Sequence, residues 1–194
     1  MHRILLTLVA GAAVLLAGCG NDRTAVPELG LIPAPKDFRD APFKAQGVQF
    51  RAPTNWRIVT GQDTQLATVA VGDAQVGVWR YQRTEPLPET RAQLAAARQA
   101  LVAQIESRDP SFKLTSTRLV LKPGFRGVEV IGQGTNLTNA SVQRSMRSLH
   151  AYGHGLEVVM DAFAPPRDFA RVDEQTFGPM ARSLRLTVPA AGAP

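Results

Sequence analysis

The sequence predicts an α+β domain in which a mostly antiparallel sheet packs against helices. Three observations lead to this fold class. Apolar and polar residues alternate over several short segments, as they do in half-buried strands. Gly- and Pro-containing pairs typical of tight turns join these segments. Two further segments carry apolar residues at helical spacing. Their order along the chain is strands, helix, four strands and helix, which favours a sheet with helices packed on it.

The first part of the domain is expected to be β-structure. Residues 48–51 and 56–59 form short strands on either side of a turn, and residues 66–71 form a longer one. Gly72-Asp73 is a two-residue hairpin signal, because glycine supplies the positive φ that such a turn needs. Residues 76–81 are the returning strand.

A long helix should follow this meander. Pro88 suits a first helical position, and Asp109-Pro110 ends the helix because proline disfavours helical backbone in the residue before it. One apolar stripe runs along the helix and is expected to pack on the sheet: Leu94, Ala97, Leu101, Val102 and Ile105.

The second half alternates strands and turns before a closing helix. Strands are expected at residues 112–121, 127–134, 141–152 and 156–163, with a type II turn at 122–124, a loop at 134–141 and a tight turn at 153–155. Asp168 is expected to cap the last helical region, and Pro179 should split or kink it.

The N-terminus has the pattern of a secretory signal. Basic Met1-His2-Arg3 precedes an apolar run at 4–18 that is too short to remain in a bilayer as a span. The run ends in Leu16-Ala17-Gly18-Cys19, which closely resembles the bacterial lipobox. The resemblance implies that residues 1–18 are removed and that the thiol of Cys19, the one cysteine of the chain, carries diacylglyceryl. Acyl chains such as palmitate then anchor the protein on the outer face of a bacterial cell membrane.

This interpretation of Cys19 competes with a core thiol or half of a disulfide, but there is no second cysteine to pair with. The expected organisation is a signal peptide at 1–18, a lipidated N-terminus and flexible tether at 19–44, a single domain at 45–187 and a disordered tail at 188–194. Prolines and charged residues interrupt the tether, and no apolar period survives there.

The net charge of +6 bears on partners. Loss of Arg3 with the signal lowers it by one. A basic surface suits an anionic lipid head group or a cell-wall polymer, and an envelope protein is a third expected partner. No Lys/Arg block with interleaved aromatic residues is present, so nucleic acid is not expected as a partner.

Three short features of the domain resemble the PsbP-like α/β/α sandwich. They are Phe50-x-x-Pro53-x-x-Trp56 at the start, a helix after the first meander, and Ser183-Leu184-Arg185-Leu186 at the end. Together with the lipobox they are most similar to the LpqN-type lipoproteins, which share that fold. The resemblance implies a non-catalytic binding or assembly module.

One group of residues is a candidate metal site. On a helix, His150, His154, Glu157 and Asp161 would share one face. Gly153 beside His154 and the β-favouring residues that follow indicate a hairpin instead. In a hairpin His150 lies near Val158 and the four side chains scatter, although Glu157 and Asp161 share a face about 13 Å apart. The hairpin interpretation is favoured, so no metal or other cofactor is expected.

The common catalytic templates are absent from the sequence. It has no Gly-x-Ser-x-Gly and no His-Glu-x-x-His, and Gly132-Gln133-Gly134 is only a fragment of a nucleotide-binding loop. A thiol nucleophile is excluded because Cys19 is the anchor, whereas a Ser-His-acid triad stays open because its members meet only in space. The sequence therefore predicts a non-enzymatic envelope module. A carrier of a lipid or other apolar ligand is the main alternative, and an envelope hydrolase is the third class.

Overall fold

The structure, a computed structural model, describes residues 31–136 and 139–191. Its centre is a seven-stranded antiparallel sheet in the order β4-β5-β6-β10-β9-β8-β7, so the predicted fold class is confirmed. Two small antiparallel pairs, β1-β3 and β2-β11, complete the β-structure of the described residues. The strands are β1 Phe38–Asp40, β2 Val48–Gln49, β3 Arg51–Pro53, β4 Arg57–Thr60, β5 Gln65–Val71, β6 Ala74–Gln82, β7 Lys113–Lys122, β8 Phe125–Asn136, β9 Asn139–Gly153, β10 Leu156–Ala164 and β11 Arg185–Leu186.

The three predicted tight turns of the sheet are confirmed. Gly72 has φ +52° between β5 and β6, and Gly124 has φ +88° between β7 and β8. In the β9–β10 turn, His154 and Gly155 both adopt positive φ. The register of this hairpin pairs His150 with Val159 rather than Val158, one residue away from the expected pairing.

The long helix α1 spans Arg91–Arg108. Its predicted start at Pro88 is wrong, because Thr90 is the N-cap. The Thr90 hydroxyl accepts a hydrogen bond from the Gln93 backbone N–H at 3.2 Å, and the Gln93 side-chain oxygen accepts one from the Thr90 N–H at 2.9 Å. This reciprocal capping box satisfies two helix-end donors. The helix ends at Asp109, as predicted.

The expected loop at 134–141 is also wrong. Strand β8 continues to Asn136 and β9 begins at Asn139, with residues 137 and 138 outside the described part. Pairing with a long neighbour extends both strands through a segment whose glycine, asparagine and threonine content favours a loop. Glycine is required at position 134, because a Cβ there would collide with the Asp109 carboxylate.

The last helical region is continuous but irregular. It consists of α2 at Pro166–Val172, one π-helical turn at Asp173–Phe177 and α3 at Gly178–Ser183. Asp168 lies inside the first turn and is not the N-cap, which is Pro165. The irregularity expected at Pro179 is present as the π turn that precedes it, where the Gly178 N–H bonds to the Asp173 carbonyl.

The two faces of the sheet are covered unequally. One face packs against α2, α3 and the N-terminal segment in a large apolar core, in which Trp56 and Phe177 meet edge-on at 6.2 Å. On the other face, α1 lies over β7 and β8, with Leu94 and Leu101 packed on Val128 and Val130. The layers form an α/β/α sandwich whose second helical layer covers one end of the sheet.

The expected domain boundaries at 45 and 187 are too narrow. Ile32, Ala41 and Phe43 are buried in the core, and β1 pairs with β3, so the described part of the proposed tether belongs to the domain. At the other end, the Ala190 N–H bonds to the Ala45 carbonyl at 2.8 Å. The sequence signal fails here because scattered buried residues in an irregular segment have no period.

Within residues 31–136 and 139–191, none of the helices has both the length and the hydropathy that crossing a bilayer requires. Cys19 and the signal segment lie outside the described residues.

Candidate functional site: the groove beside α1

A groove of about 440 Å³ runs beside α1, over the part of the sheet that this helix leaves uncovered. The C-terminal half of α1 and the segment that follows it form one wall, and β6, β10 and β9 form the floor. A volume of this size is typical of small-ligand pockets. Its lining is mainly apolar with polar groups at intervals, and the apolar side chains are Trp79, Leu101, Ile105, Phe112, Met146, Val159 and Phe163.

The register of the sheet orders the floor in rows. Val159 of β10 lies between Trp79 of β6 and His150 of β9, and Asp161 lies between Gly77 and Ser148 in the next row. Side chains two residues apart on a strand share a face, so these rows point into the same groove. The indole of Trp79 lies over Gly77, where any Cβ would collide with its ring. Glycine at 77 therefore allows the indole to lie against the sheet as part of the floor.

One end of the groove carries a chain of polar contacts centred on Glu157. One carboxylate oxygen lies 2.8 Å from Nδ1 of His150, and the other accepts hydrogen bonds from the guanidinium of Arg83, with the Nε contact at 2.7 Å. Burial raises the pKa of Glu157, but the bonds from His150 and Arg83 outweigh it, and the pKa lies below its usual value. This carboxylate therefore stabilises the fold above its ordinary pKa, and the contribution is lost as pH falls through the lowered value.

The middle of the groove holds a second carboxyl group. The Ser148 hydroxyl lies 2.5 Å from a carboxylate oxygen of Asp161. Burial raises the pKa of Asp161, and the Ser148 hydrogen bond and the charges of His150 and Arg108 only partly oppose it. A raised pKa widens the pH range over which this carboxyl is protonated, and a protonated carboxyl can donate as well as accept a hydrogen bond.

The other end is closed by Asp109, directly after α1. Its carboxylate accepts hydrogen bonds from the backbone N–H and hydroxyl of Ser111 and from the Thr135 N–H at 2.6 Å. Burial raises the pKa of Asp109, but these bonds together hold it below its usual value. The Thr135 bond ties the end of α1 to β8, and the two Ser111 bonds hold the segment that follows the helix.

The four candidate metal residues are brought together only in part. His150 and Glu157 are in contact, and Asp161 faces the same groove, whereas His154 lies in the β9–β10 turn and is exposed. The expectation that all four scatter was thus wrong for His150 and Glu157, which are diagonal neighbours on one face of the hairpin. Among the described residues, no three His, Cys, Asp or Glu side chains are grouped closely enough to hold a metal ion.

An apolar pocket between a helix and the sheet is what the sequence-based carrier alternative expects, but the residues that line the groove were not predicted. Trp79, Arg83 and Ser148 gave no separate signal in the sequence, because an aromatic or a serine in a strand is as common in a core as in a pocket. The alternation of β10 did indicate which face of the sheet is partly open. The odd-numbered residues of the strand share one face, and both of its acids are among them: Glu157, Val159, Asp161 and Phe163. A strand with acids on one face and an unbroken apolar face opposite indicates that only the apolar face is fully covered.

Comparison with known proteins gives the fold. No protein-family model and no curated protein matches the chain. The solution structure of CyanoP, the PsbP of the cyanobacterium Synechocystis sp. PCC 6803, is similar with a TM-score of 0.60 and 11% identity, over 84% of this chain and 99% of that chain. LpqN of Mycobacterium tuberculosis, described as involved in cell envelope biogenesis, has a TM-score of 0.56 and 11% identity over 72% and 83%. The Ran-binding protein Mog1p of Saccharomyces cerevisiae has a TM-score of 0.53 and 8% identity over 78% and 96%.

The TM-scores establish a common fold. At identities of 8–11%, the functional residues of these proteins are not transferred to this chain. The likeness to CyanoP confirms the expected PsbP-like α/β/α fold for the described domain.

Proposed function

We propose that this chain is a bacterial envelope lipoprotein, anchored through Cys19, and that its domain is a non-catalytic binding or assembly module. The binding site is the groove beside α1. The observation that carries the proposal is the uneven covering of the sheet, which leaves a mainly apolar groove with fixed polar groups at intervals along it. Pockets with a mainly apolar lining and a few placed polar groups are typical of binding sites. The likeness to LpqN supports an envelope role at the level of the fold.

Binding rather than catalysis is supported by the state of the polar groups. The Glu157 carboxylate is already engaged by His150 and Arg83, and Asp161 by Ser148. The Ser148 hydroxyl is thus bonded to the Asp161 carboxyl, and it forms no hydrogen bond with His150. A hydrogen bond between nucleophile and base is the usual signature of an activated serine, and this pair does not form one. These groups instead give the groove fixed hydrogen-bonding positions.

Anchoring is tested by replacing the modified residue. Cys19→Ser is expected to abolish lipidation and signal removal at residue 19, because the thiol is the acyl acceptor in the lipobox resemblance. Metabolic labelling with a palmitate analogue, followed by gel analysis, should show label on the native protein and none on the variant. Cys19→Ala gives the same result if the thiol is required. Labelling that persists in Cys19→Ser would contradict the anchor.

A carrier of an apolar ligand is a second candidate, and the volume and lining of the groove favour it. The two candidates differ in what accompanies the purified protein. A small molecule retained in native mass spectra of protein extracted from the envelope supports a carrier. Repeated capture of one envelope protein supports an assembly module.

A further inference from the structure

A cluster of cationic side chains lies at one end of the domain, away from the groove. It is formed by Arg118 and Lys122 of β7 together with Arg182 of α3 and Arg185 of β11. The Lys122 amine donates to the Arg182 carbonyl at 2.7 Å, and a guanidinium nitrogen of Arg185 donates to the same oxygen at 3.0 Å. Two cations from distant parts of the chain thus meet at one carbonyl, and the Arg182 and Arg185 side chains are exposed.

Within residues 31–136 and 139–191, one acid forms an ion pair with this cluster. Glu129 pairs with Arg118, and it is buried and also bound to Arg147. Desolvation, followed by the charges of Arg185, Arg118 and Arg182, lowers the pKa of Lys122. The neighbouring cations therefore act on one another, and a positive potential persists at this end of the molecule. Such a potential attracts a surface of opposite charge.

An exposed apolar residue borders the same end. Leu121 is 61% exposed, next to Lys122 and opposite Arg126 at the tip of the β7–β8 hairpin. A Cβ at Gly124 would lie 3.0 Å from the Leu186 carbonyl oxygen, so the turn lies beside the strand that contains Arg185. The open groove on the Leu121 side is lined by Lys122 and Arg126 of this end and, farther from the tip in sequence, by Glu85 and Glu89.

The position of the N-terminal segment allows this end to reach a membrane. Arg171 of α2 donates to the Ile32 carbonyl at 3.1 Å, and Arg182 follows eleven residues later, about 16 Å along the helical region. The twelve residues between Cys19 and Ile32 can span no more than about 45 Å. A chain held at Cys19 can therefore place its basic end on the bilayer.

We propose that the end of the domain formed by Lys122, Arg182, Arg185 and the β7–β8 tip docks on the anionic phospholipid surface of the membrane. The docking deepens the proposed function, because it gives the anchored domain a fixed orientation. Cations contact the head groups, and Leu121 enters the interface between them, as in other peripheral contacts that combine charge with apolar insertion. The groove beside α1 stays free of this contact.

The test uses the mature chain from Gly20 to Pro194, which lacks only the lipidated residue, and vesicles of phosphatidylcholine with 30% phosphatidylglycerol. Each cation near such a surface contributes about a five-fold preference. The Arg182→Gln/Arg185→Gln variant should therefore bind on the order of 10- to 30-fold more weakly in vesicle sedimentation. The matched control, Arg57→Gln/Arg91→Gln, removes two exposed charges elsewhere and should change binding less than about three-fold because distant charges are screened.

A second measurement reports on the tip. This mature chain contains no cysteine, so Leu121→Cys and Val59→Cys each give a unique site for an environment-sensitive fluorophore. Val59 is exposed on the opposite edge strand, β4. The label at 121 should brighten and shift to the blue on anionic vesicles, and the label at 59 should not change.

The proposal is overturned if native protein does not bind these vesicles, if both arginine pairs lose binding equally, or if the label at 121 is insensitive. Vesicles of phosphatidylcholine alone should bind little native protein, and equal binding to them would also overturn it. Because the chain used has no lipid, none of these results bears on anchoring, which the labelling of Cys19 variants decides separately.

Discussion

Deletion of residues 20–44 from the mature chain is expected to lower the free energy of unfolding by about 3–6 kcal/mol, whereas deletion of residues 20–30 should leave it nearly unchanged. Ile32 and Phe43 are each 3% exposed, and burying a side chain of this size contributes about 1.5–3 kcal/mol. Total stabilities are only about 5–15 kcal/mol. The longer deletion therefore removes a large fraction of the stability.

Specific contacts fix this segment on the domain. The rings of Phe43 and Phe50 stack with centroids 6.0 Å apart. Asn55 bonds to both sides of a short backbone stretch, donating to the Ala34 carbonyl at 3.0 Å and accepting from the Lys36 N–H at 3.1 Å. The deletion removes both hydrogen-bond partners of Asn55. It also removes β1, the strand that pairs with β3.

Urea unfolding of the full mature chain and of the two truncated chains gives the comparison. Phe43→Ala in the full mature chain isolates the largest single contact and should cost about 3–5 kcal/mol. Equal midpoints for the two deletions would show that residues 31–44 do not stabilise the domain.

Replacing Arg147 by Met should be equally severe, with an expected loss of about 3–5 kcal/mol. Arg147 lies in β9 with its side chain 10% exposed. It binds both carboxylate oxygens of Asp173 in the π turn, at 2.6 and 2.7 Å, and a carboxylate oxygen of Glu129 in β8, at 2.5 Å. Its loss leaves Asp173 without a cationic partner among the described residues, and it leaves Glu129, which is almost completely buried, paired with Arg118 alone. Removing one partner of a buried pair costs more than the pair contributes, because the remaining charge is uncompensated.

Arg126→Met is the matched control for this variant. Arg126 is an exposed arginine of the neighbouring strand, and its replacement should change the free energy of unfolding by less than about 0.5 kcal/mol. Adding Asp173→Asn to Arg147→Met removes the charge that Arg147 compensated and should restore part of the stability. A loss below about 1 kcal/mol for Arg147→Met in urea unfolding would mean that water solvates the two acids.

Local signals determined most of the strands. The alternation in β6, β7 and β10 and the turns at Gly72, Gly124 and Gly155 were sufficient for the hairpins, because each depends on residues close in sequence. The fold class followed from their order. The ends of β8 and β9 were missed, since pairing with a partner outweighs the loop composition of the segment.

Long-range partners explain what the sequence did not reveal. The burial of Ile32 depends on a core completed by residues far along the chain. The contact of His150 with Glu157 depends on the register of one hairpin, and the groove depends on where α1 crosses the sheet. The hydrophobic stripe of α1 predicts that the helix packs on a sheet, but it does not predict which strands stay uncovered.

Site-specific photo-crosslinking in the native envelope tests whether the domain binds its partner through the groove beside α1. Gln104 lines the groove, whereas Gln99 is an exposed residue of the same helix outside it. A photoreactive phenylalanine analogue is placed at each position in turn. We expect a discrete cross-linked adduct from position 104, either to one envelope protein or to a small ligand identified by mass spectrometry, and none from position 99. The same adducts from both positions, or none from position 104, would contradict the assignment of the groove as the binding site.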